Sequence, residues 1–418
     1  MYQIKTVSFL IGLFSLLAGL YLKENLSGGA KLDHDYLIPT VIAFSNSLND
    51  GFKLFLSNLG FVVHSPVFYI LAGKLLKIFG NLDNVKIFYI LISSSLPLIF
   101  YQILKLKNRD NIYIYLFSLI IFISPYFRSS SIWLLGDNLS LIFLGLSIVF
   151  YLKFKKNENL NFCYYSIFFL SLCCYFRYYY FPFYFFYIFI YFKNQNTKNI
   201  LKIITFSFLI SVPAIIYFIY IIQDYEFLRL INLDSGHNIF NYSTNFIILL
   251  SILFFYLIPY IIFYINQLIK YYKKNFLTFL LFSFIFLSIY LVDIFIYENL
   301  ISFNQNNLGG GIVKKIIDKV YFNSQFFLIF IALITSLVLH FLFRNNLKQN
   351  YFLLICLFLC FPSNYIFQKY LDPLFYLFIF GLVKSRYIDF ILSKMKKLLI
   401  PLYLFSTAFI LTTYFVYY

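Results

Sequence analysis

The sequence predicts an all-α polytopic integral membrane protein with about 11–13 transmembrane helices, plus amphipathic surface helices in its first outward loop. Of the 418 residues, 62% are apolar, 24% are aromatic and only 12% are charged. A soluble domain is about 45–50% apolar and about 25% charged. The apolar residues form long runs, and the basic residues cluster in the polar breaks between them. These observations exclude a soluble fold, a disordered chain and a coiled coil.

About 13 apolar runs are predicted to cross the membrane, and a straight crossing needs about 20 residues. The runs near 179, 350 and 371 are short for this purpose, and the predicted number of spans depends on them. The predicted spans are 7–22, 85–104, 111–127, 138–152, 162–176, 179–192, 200–222, 246–269, 276–297, 323–343, 350–361, 371–383 and 398–418.

Residues 37–80 do not fit a membrane span, because apolar and polar residues alternate there at helical spacing. Lys74 and Lys77 fall on a different face from the apolar stripe of the second helix. Two amphipathic helices that lie in the membrane surface explain this pattern better than a crossing. The apolar stripes comprise Leu37, Val41, Phe44 and Leu48, then Phe68, Leu71, Leu75 and Ile78.

The distribution of charge predicts the orientation in the membrane. If residues 23–84 stay on one side, one set of alternate loops holds 20 of the 33 basic residues and 3 of the 16 acidic residues. Because basic loops face the cytoplasm, the N-terminus is predicted to be cytoplasmic. Topology also accounts for the net charge of +17, and nucleic acid is not expected as a partner. A single domain, 1–418, is predicted, with outward loops at 23–84, 223–245, 298–322 and 362–370.

The first outward loop carries two carboxylates and an imidazole, because Asp33, His34 and Asp35 follow directly after Lys31 and Leu32. A carboxylate near the membrane surface can act as a general base or bind a divalent cation. An acidic pair separated by one residue also fits a solvated loop or a helix cap, so both interpretations stay open.

Other polar residues occur at the predicted outer ends of spans. Asp137 precedes the apolar run at 138 and could bind a ligand or cap that helix. Arg177 lies in an aromatic run, where a cation is costly unless it is paired or faces water, although it can also snorkel. His64 precedes Pro66, a residue suited to the first turn of a helix.

Glycines and cations occur together later in the chain. Gly309-Gly310-Gly311 precedes Lys314 and Lys315, and a loop of this kind can bind a phosphate. The Gly-Lys-Ser/Thr sequence of a nucleotide P-loop is missing, so a surface loop is the alternative. Lys369 and Tyr370 precede the run at 371, where Lys369 could hold an anion or anchor the helix at the interface.

In their order and spacing, these features resemble the GT-C superfamily of membrane glycosyltransferases. The acidic motif, the stretch His64–Gly80, Ser124-Pro125 and Asp137 look like the catalytic-loop region of protein O-mannosyltransferases and bacterial lipid A aminoarabinose transferases, and the resemblance covers roughly the N-terminal third of this chain. After about residue 155, only the many spans and Gln368-Lys369-Tyr370 are similar. The Asp-Glu usual in the family appears here as Asp33-His34 followed by Asp35, so the identity of the base stays open.

The resemblance implies an enzyme that moves a sugar from a polyprenyl phosphate donor to a lipid, glycan or protein acceptor at the outer face of the membrane. Asp33 or Asp35 would be the catalytic base, and a divalent cation such as Mg²⁺ or Mn²⁺, if one is used, would bind the same carboxylates. Arg177, Lys369 and one of the lysines at 314 and 315 would stabilise the phosphate of the leaving group. The implied substrate-binding residues are His34, His64, Asp137, Arg177, Lys314, Lys315, Lys369 and Tyr370.

The expected location is the bacterial inner membrane, with membrane lipids around the chain. A transporter or lipid flippase is the main alternative, and it would place polar residues near the midplane on broken helices in corresponding halves. An O-antigen polymerase or ligase is a further alternative, and it would be expected to use an Arg-rich later loop. The concentration of acids at the outer rim favours the glycosyltransferase.

Overall fold

The chain is an all-α polytopic membrane protein, as the sequence predicts. A computed structural model describes residues 2–27, 29–57, 65–107, 110–224, 242–295, 309–320, 324–361 and 366–417. Over these ranges, seven helices are long and apolar enough to cross a membrane, or eight if a pair bent by 62° counts as one span. Three shorter apolar helices accompany them. The predicted 11–13 spans therefore exceed the number of described helices that have full spanning length.

Two compact units make up the structure. The first comprises Met1–Tyr225, Phe380–Leu382 and Met395–Tyr418, and the second comprises Glu226–Ile379 and Val383–Lys394.

The first unit opens with an apolar helix and three shorter helices. These are α1 (Tyr2–Tyr21), α2 (Ala30–Asn46), α3 (Leu48–Ser57) and α4 (Val67–Phe79). Helices α2 to α4 occupy the region of the predicted amphipathic helices. Because α2 already begins at Ala30 and not at residue 37, the acidic motif lies within this helix, with Asp33 in its first turn, and not in an irregular loop.

Close packing joins α2 to α4. Gly73 of α4 faces α2 so closely that a Cβ there would lie 2.7 Å from Phe44 Cβ and 2.9 Å from the Val41 carbonyl oxygen. Val41 and Phe44 are both buried. Real Cβ atoms do not approach other atoms at such distances, so the absence of a side chain at Gly73 permits this contact.

The next elements correspond to two predicted spans. Helices α5 (Leu82–Ser93) and α6 (Ser95–Lys107) form one apolar stretch of 26 residues. In contrast, the predicted span 111–127 is broken into α7 (Ile112–Ser118), a 3₁₀ turn (Leu119–Ile123) and α8 (Pro125–Ile132). Ser124 is extended because it precedes Pro125, and this is where the helix pair bends.

Four further helices complete the N-terminal part of the first unit: α9 (Asp137–Asn157), α10 (Leu160–Phe176), α11 (Phe183–Asn194) and α12 (Thr197–Asp224). A 3₁₀ turn, Tyr178–Tyr180, separates α10 from α11. Ser147 of α9 donates a hydrogen bond of 2.7 Å to the Ser166 carbonyl of α10. Because α9 and α10 are antiparallel neighbours, the start of α9 lies beside the end of α10.

The second unit contains α13 (Tyr242–Lys274), α14 (Phe276–Phe295), α15 (Gly311–Val320), α16 (Ser324–Phe343), α17 (Leu347–Leu359) and α18 (Arg386–Ser393). Helix α15 lies within the predicted loop 298–322, which is therefore partly helical. The last helix, α19 (Met395–Tyr417), belongs to the first unit, where the Tyr403 hydroxyl donates to the Leu116 carbonyl at 2.8 Å.

The predicted span 371–383 is not a regular α-helix. One short helical turn, Leu374–Tyr376, continues as a π-helix, Leu377–Leu382. All residues of 371–383 are buried. The apolar character of this short segment fits burial within the protein, and its length does not show whether it also crosses the membrane.

Candidate functional site

The turn between α8 and α9 places Asp137. The side-chain amide of Asn138 donates to Ser131 Oγ at 2.7 Å and to the Phe127 carbonyl at 3.1 Å. Leu134, within the turn, has a φ of 53°, which is uncommon for a bulky residue, and its side chain is buried. These contacts determine where the first residue of α9 lies.

Asp137 and Arg177 form a bidentate ion pair. Arg177 donates from Nε to Asp137 Oδ1 at 2.9 Å and from Nη2 to Oδ2 at 2.8 Å, and the Tyr179 hydroxyl donates to Oδ1 at 3.2 Å. The side chain of Arg177 is 9% exposed and that of Asp137 is 31% exposed. The cap position of α9 is Gly136, with no side-chain cap. Asp137 is therefore the partner of a buried cation and not the helix cap.

The Tyr69 phenol lies in the electric field of this pair and of Asp33. Tyr69 is buried, and its hydroxyl has no hydrogen-bond partner among the described residues. Burial raises the pKa of Tyr69, Arg177 lowers it, and the charges of Asp33 and Asp137 raise it further. All three charged groups are thus close to this phenol. We name Asp33, Tyr69, Asp137 and Arg177 the Asp33 cluster.

His34, the neighbour of Asp33, packs against Trp133. The centroids of the two rings are 5.5 Å apart, and Lys86 Nζ lies 5.1 Å from the centroid of Trp133. Burial and the charge of Lys86 lower the pKa of His34 to about 4, although a backbone hydrogen bond with Trp133 and the charge of Asp35 oppose this shift. His34 is therefore a neutral imidazole at pH 7, and its Nδ1 has no partner in the described part of the chain.

The two carboxylates of the acidic motif differ in their environment. Asp33 is half-buried, whereas Asp35 is exposed. Residues two apart on an α-helix are separated by about 200° around its axis and do not face each other. Mg²⁺ or Mn²⁺ bound jointly by Asp33 and Asp35 therefore does not fit this helix, and no group of three potential metal ligands occurs among the residues that the structure describes.

Arg128 is a second buried arginine, and its donors are all used by the protein. Its Nε and Nη2 bind the Glu24 carboxylate, each at 2.6 Å. Its remaining N–H groups bind Ser15 Oγ, the Ser15 carbonyl and the Phe122 carbonyl at 2.9–3.2 Å. A guanidinium has five N–H donors, so Arg128 connects α1 to α8 and has none left. Arg177 differs, because its Nη1 has no partner within the described ranges.

In the second unit, the glycine segment packs on residues 366–368 instead of forming a free surface loop. The Gly310 amide donates to the Ile366 carbonyl at 2.8 Å, and the Ile312 amide donates to Gln368 Oε1, also at 2.8 Å. Gly310 and Gly311 have φ angles of 81° and 72°, which favour glycine. These hydrogen bonds hold the start of α15 against the segment that contains Lys369.

The cations predicted in the second unit have protein contacts. Lys314 is buried and donates to Asp318 Oδ2 at 2.6 Å, whereas Lys315 is half-buried. Lys369 Nζ lies 6.0 Å from the centroid of Tyr370. The ring of Tyr370 stacks on Phe361, with the centroids 5.3 Å apart. His64 lies outside the described residues.

Of the predicted site residues in the first unit, the structure joins Asp137 to Arg177, and the charges of both and of Asp33 act on Tyr69, whereas His34 packs against Trp133. Sequence reasoning missed Tyr69, Lys86 and Trp133. A signal for Lys86 was present, because it is a lone cation beside a long apolar run. The same cost of a cation among apolar residues indicated Arg177 as a candidate. No such signal existed for Tyr69 in a chain with 40 tyrosines.

Comparison with protein families, with curated proteins and with solved structures finds no match to this chain. The assignment of a function therefore rests on the chemistry of the site and on the membrane-spanning architecture.

Proposed function

We propose that this chain is a GT-C-type glycosyltransferase that moves a hexosyl or pentosyl group from a polyprenyl-phosphate-linked donor to a lipid, glycan or protein acceptor. The supporting observation is the position of Asp33, which follows the first apolar helix and whose charge acts, together with the Asp137–Arg177 pair, on the buried phenol of Tyr69. The proposed setting is the outer face of the bacterial inner membrane, with a cytoplasmic N-terminus. The sorting of basic residues between loops supports this orientation.

In this proposal, Asp33 is the general base. Its carboxylate takes the proton of the acceptor hydroxyl while that oxygen forms a bond to the anomeric carbon of the donor sugar. The bond between the anomeric carbon and the phosphate oxygen breaks, and the polyprenyl phosphate leaves with the electron pair. Asp33 is preferred to Asp35 because it is half-buried within the cluster, where water competes less with the acceptor.

Arg177 is proposed to bind the phosphate of the donor. The ion pair with Asp137 orients its guanidinium. Its Nη1 donates to no described residue and can therefore donate to the phosphate. Asp137 neutralises much of the charge of Arg177, so further positive charge is needed for a leaving phosphate. Lys86 is buried and makes no salt bridge with any carboxylate of the described chain, so its charge can contribute.

The roles in the second unit are also proposals. Lys315, Lys369 and Tyr370 remain predicted substrate-binding residues. The ion pair with Asp318 makes Lys314 a weaker phosphate ligand than the sequence implied. No step of the proposed reaction passes through a metal ion.

The test compares Asp33→Asn with Asp35→Asn in proteoliposomes supplied with polyprenyl-phosphate-linked hexoses and pentoses carrying a radiolabel in the sugar. Loss of a general base costs about 10²–10⁴-fold in rate, so Asp33→Asn should lose transfer by that factor, whereas Asp35→Asn should keep it. Both variants should unfold at the temperature of the unchanged protein. Normal turnover by Asp33→Asn would refute the proposed base. Movement of the labelled lipid across the bilayer without transfer would favour a flippase.

A further inference from the structure

A groove of about 450 Å³ lies between α10 and α12, and none of its lining residues belongs to the Asp33 cluster. Tyr164 of α10 and Phe206 of α12 form an aromatic wall, with ring centroids 5.0 Å apart. The other lining residues all come from α12 and are Lys198, Leu201, Lys202, Thr205 and Leu209.

Along α12, the groove changes from cationic to apolar. Lys198, Lys202, Thr205 and Leu209 are spaced by four, three and four residues, so they follow one face of the helix. The two ammonium groups lie at the start of the helix, and the apolar part follows along the span. This span, Thr197–Tyr217, is only 11% buried within the protein. Its groove therefore opens towards lipid, with the polar and apolar parts in the order found in a phospholipid.

The positive charge in the groove has no counter-charge in the described structure. Neither Lys198 nor Lys202 forms an ion pair with a described carboxylate, and no acidic residue lines the groove. Both lysines occupy the first two turns of α12, where the helix dipole disfavours cations. The positive-inside rule explains why lysines occur in this loop, but it does not require two of them to line one groove. An anion between them would offset both unfavourable effects.

We propose that this groove binds an anionic phospholipid of the membrane leaflet in which α12 begins. Side chains four apart on a helix have Cβ atoms about 5–6 Å apart, so both ammonium groups can reach one phosphate. One acyl chain lies along Leu201, Thr205 and Leu209 and packs against the aromatic wall. Basic pockets between transmembrane helices on the cytoplasmic side recognise anionic headgroups. This site does not depend on the proposed glycosyltransferase activity.

The experiment measures lipid binding to the purified full-length protein by native mass spectrometry. Phosphatidylglycerol and phosphatidylcholine with identical acyl chains are added at equal concentrations. Each lysine near an anionic lipid contributes about 1 kcal/mol, and 1.4 kcal/mol is a factor of ten. Lys198→Gln/Lys202→Gln should therefore bind phosphatidylglycerol roughly 30-fold more weakly. Lys198→Arg/Lys202→Arg should retain binding.

Two further variants separate this groove from general surface charge. Lys273→Gln/Lys274→Gln removes the same amount of charge at the end of α13 and should leave phosphatidylglycerol binding unchanged. Thr205→Trp fills the apolar part of the groove, keeps both lysines and should weaken binding.

The proposal is overturned if the two lipids bind equally or if the double glutamine variant binds like the unchanged protein. Retained binding in Thr205→Trp would equally overturn it. Displacement of phosphatidylglycerol by millimolar inorganic phosphate would show an anion site without lipid selectivity, which also contradicts it.

Discussion

Arg177 binds both carboxylate oxygens of Asp137, although the two residues are 40 positions apart in the sequence. The pair joins the first residue of α9 to the residue that follows α10, so it closes one end of this helical hairpin. The charges of both residues also act on Tyr69, as does the charge of Asp33. One ion pair therefore contributes to the packing of two apolar helices and to the electrostatics of the candidate site.

Removing Asp137 should destabilise the protein more than removing Arg177. Asp137→Asn leaves a guanidinium that is 9% exposed without its counter-charge, and removing one partner of a buried pair costs about 3–5 kcal/mol. Arg177→Gln leaves a carboxylate that is 31% exposed and should cost less. Thermal unfolding in detergent measures both effects. The double variant should be more stable than Asp137→Asn alone, and an equal or lower stability would contradict this interpretation.

The ion pair between Glu24 and Arg128 provides a matched control. Glu24→Gln should lower the unfolding temperature in the same way, because it leaves Arg128 without a counter-charge. The rate of sugar transfer per folded molecule should stay unchanged, since all donors of Arg128 serve the protein. Asp137→Asn should lower this rate as well. A comparable loss of rate in Glu24→Gln would refute the distinction between the two arginines.

Removing the Tyr69 hydroxyl should affect the reaction more than the stability. In Tyr69→Phe, no hydrogen bond with a described residue is lost, and a buried hydroxyl no longer has to be desolvated. We expect a change in the free energy of unfolding within about 0.5 kcal/mol. If this hydroxyl donates to the substrate in the proposed reaction, its loss should lower the rate of transfer by about 10²–10³-fold, the usual cost of one donor at a reacting centre. Tyr36→Phe, at an exposed position, should change neither quantity.

His34 should make the stability depend on pH. Its pKa in the folded protein is about 4, below the ordinary value of 6.5, so the unfolded chain takes up a proton first as the pH falls. The contribution of His34 is therefore complete above pH 6.5 and is lost progressively as the pH falls towards 4. His34→Asn should have a smaller decrease in unfolding temperature between pH 7.5 and pH 5. Identical pH profiles for the two proteins would show that His34 is not the responsible group.

Gly73→Ala should separate α2 from α4. The added methyl would meet the Phe44 backbone and the Val41 carbonyl at distances below 3 Å, and overpacking of this kind costs about 1–3 kcal/mol. Because α2 carries Asp33, the rate of transfer should also fall. Gly29→Ala is the control, since a Cβ at Gly29 has no neighbour within 4 Å. An unfolding temperature in Gly73→Ala equal to that of the control would contradict this account of the packing.

The errors of sequence-based prediction have identifiable causes. Apolar runs show that a segment is buried, but they do not show its helical geometry, so the π-helix at Leu377–Leu382 was not predicted. The predicted span 111–127 is bent at Ser124, where the following Pro125 disfavours the helical conformation. Asp137 was a possible cap by its position, but a guanidinium binds its carboxylate more strongly than a backbone amide.

The sequence by itself determined the helical, membrane-spanning class of this protein, because hydropathy is a property of consecutive residues and a backbone in lipid must satisfy its own hydrogen bonds. It also indicated Asp33, Asp137 and Arg177 as unusual polar residues. Only the tertiary structure decided that Arg177 pairs with Asp137, that Tyr69 lies beside them and that Lys86 faces Trp133. These contacts join residues from different helices, and their formation depends on which helix faces pack together.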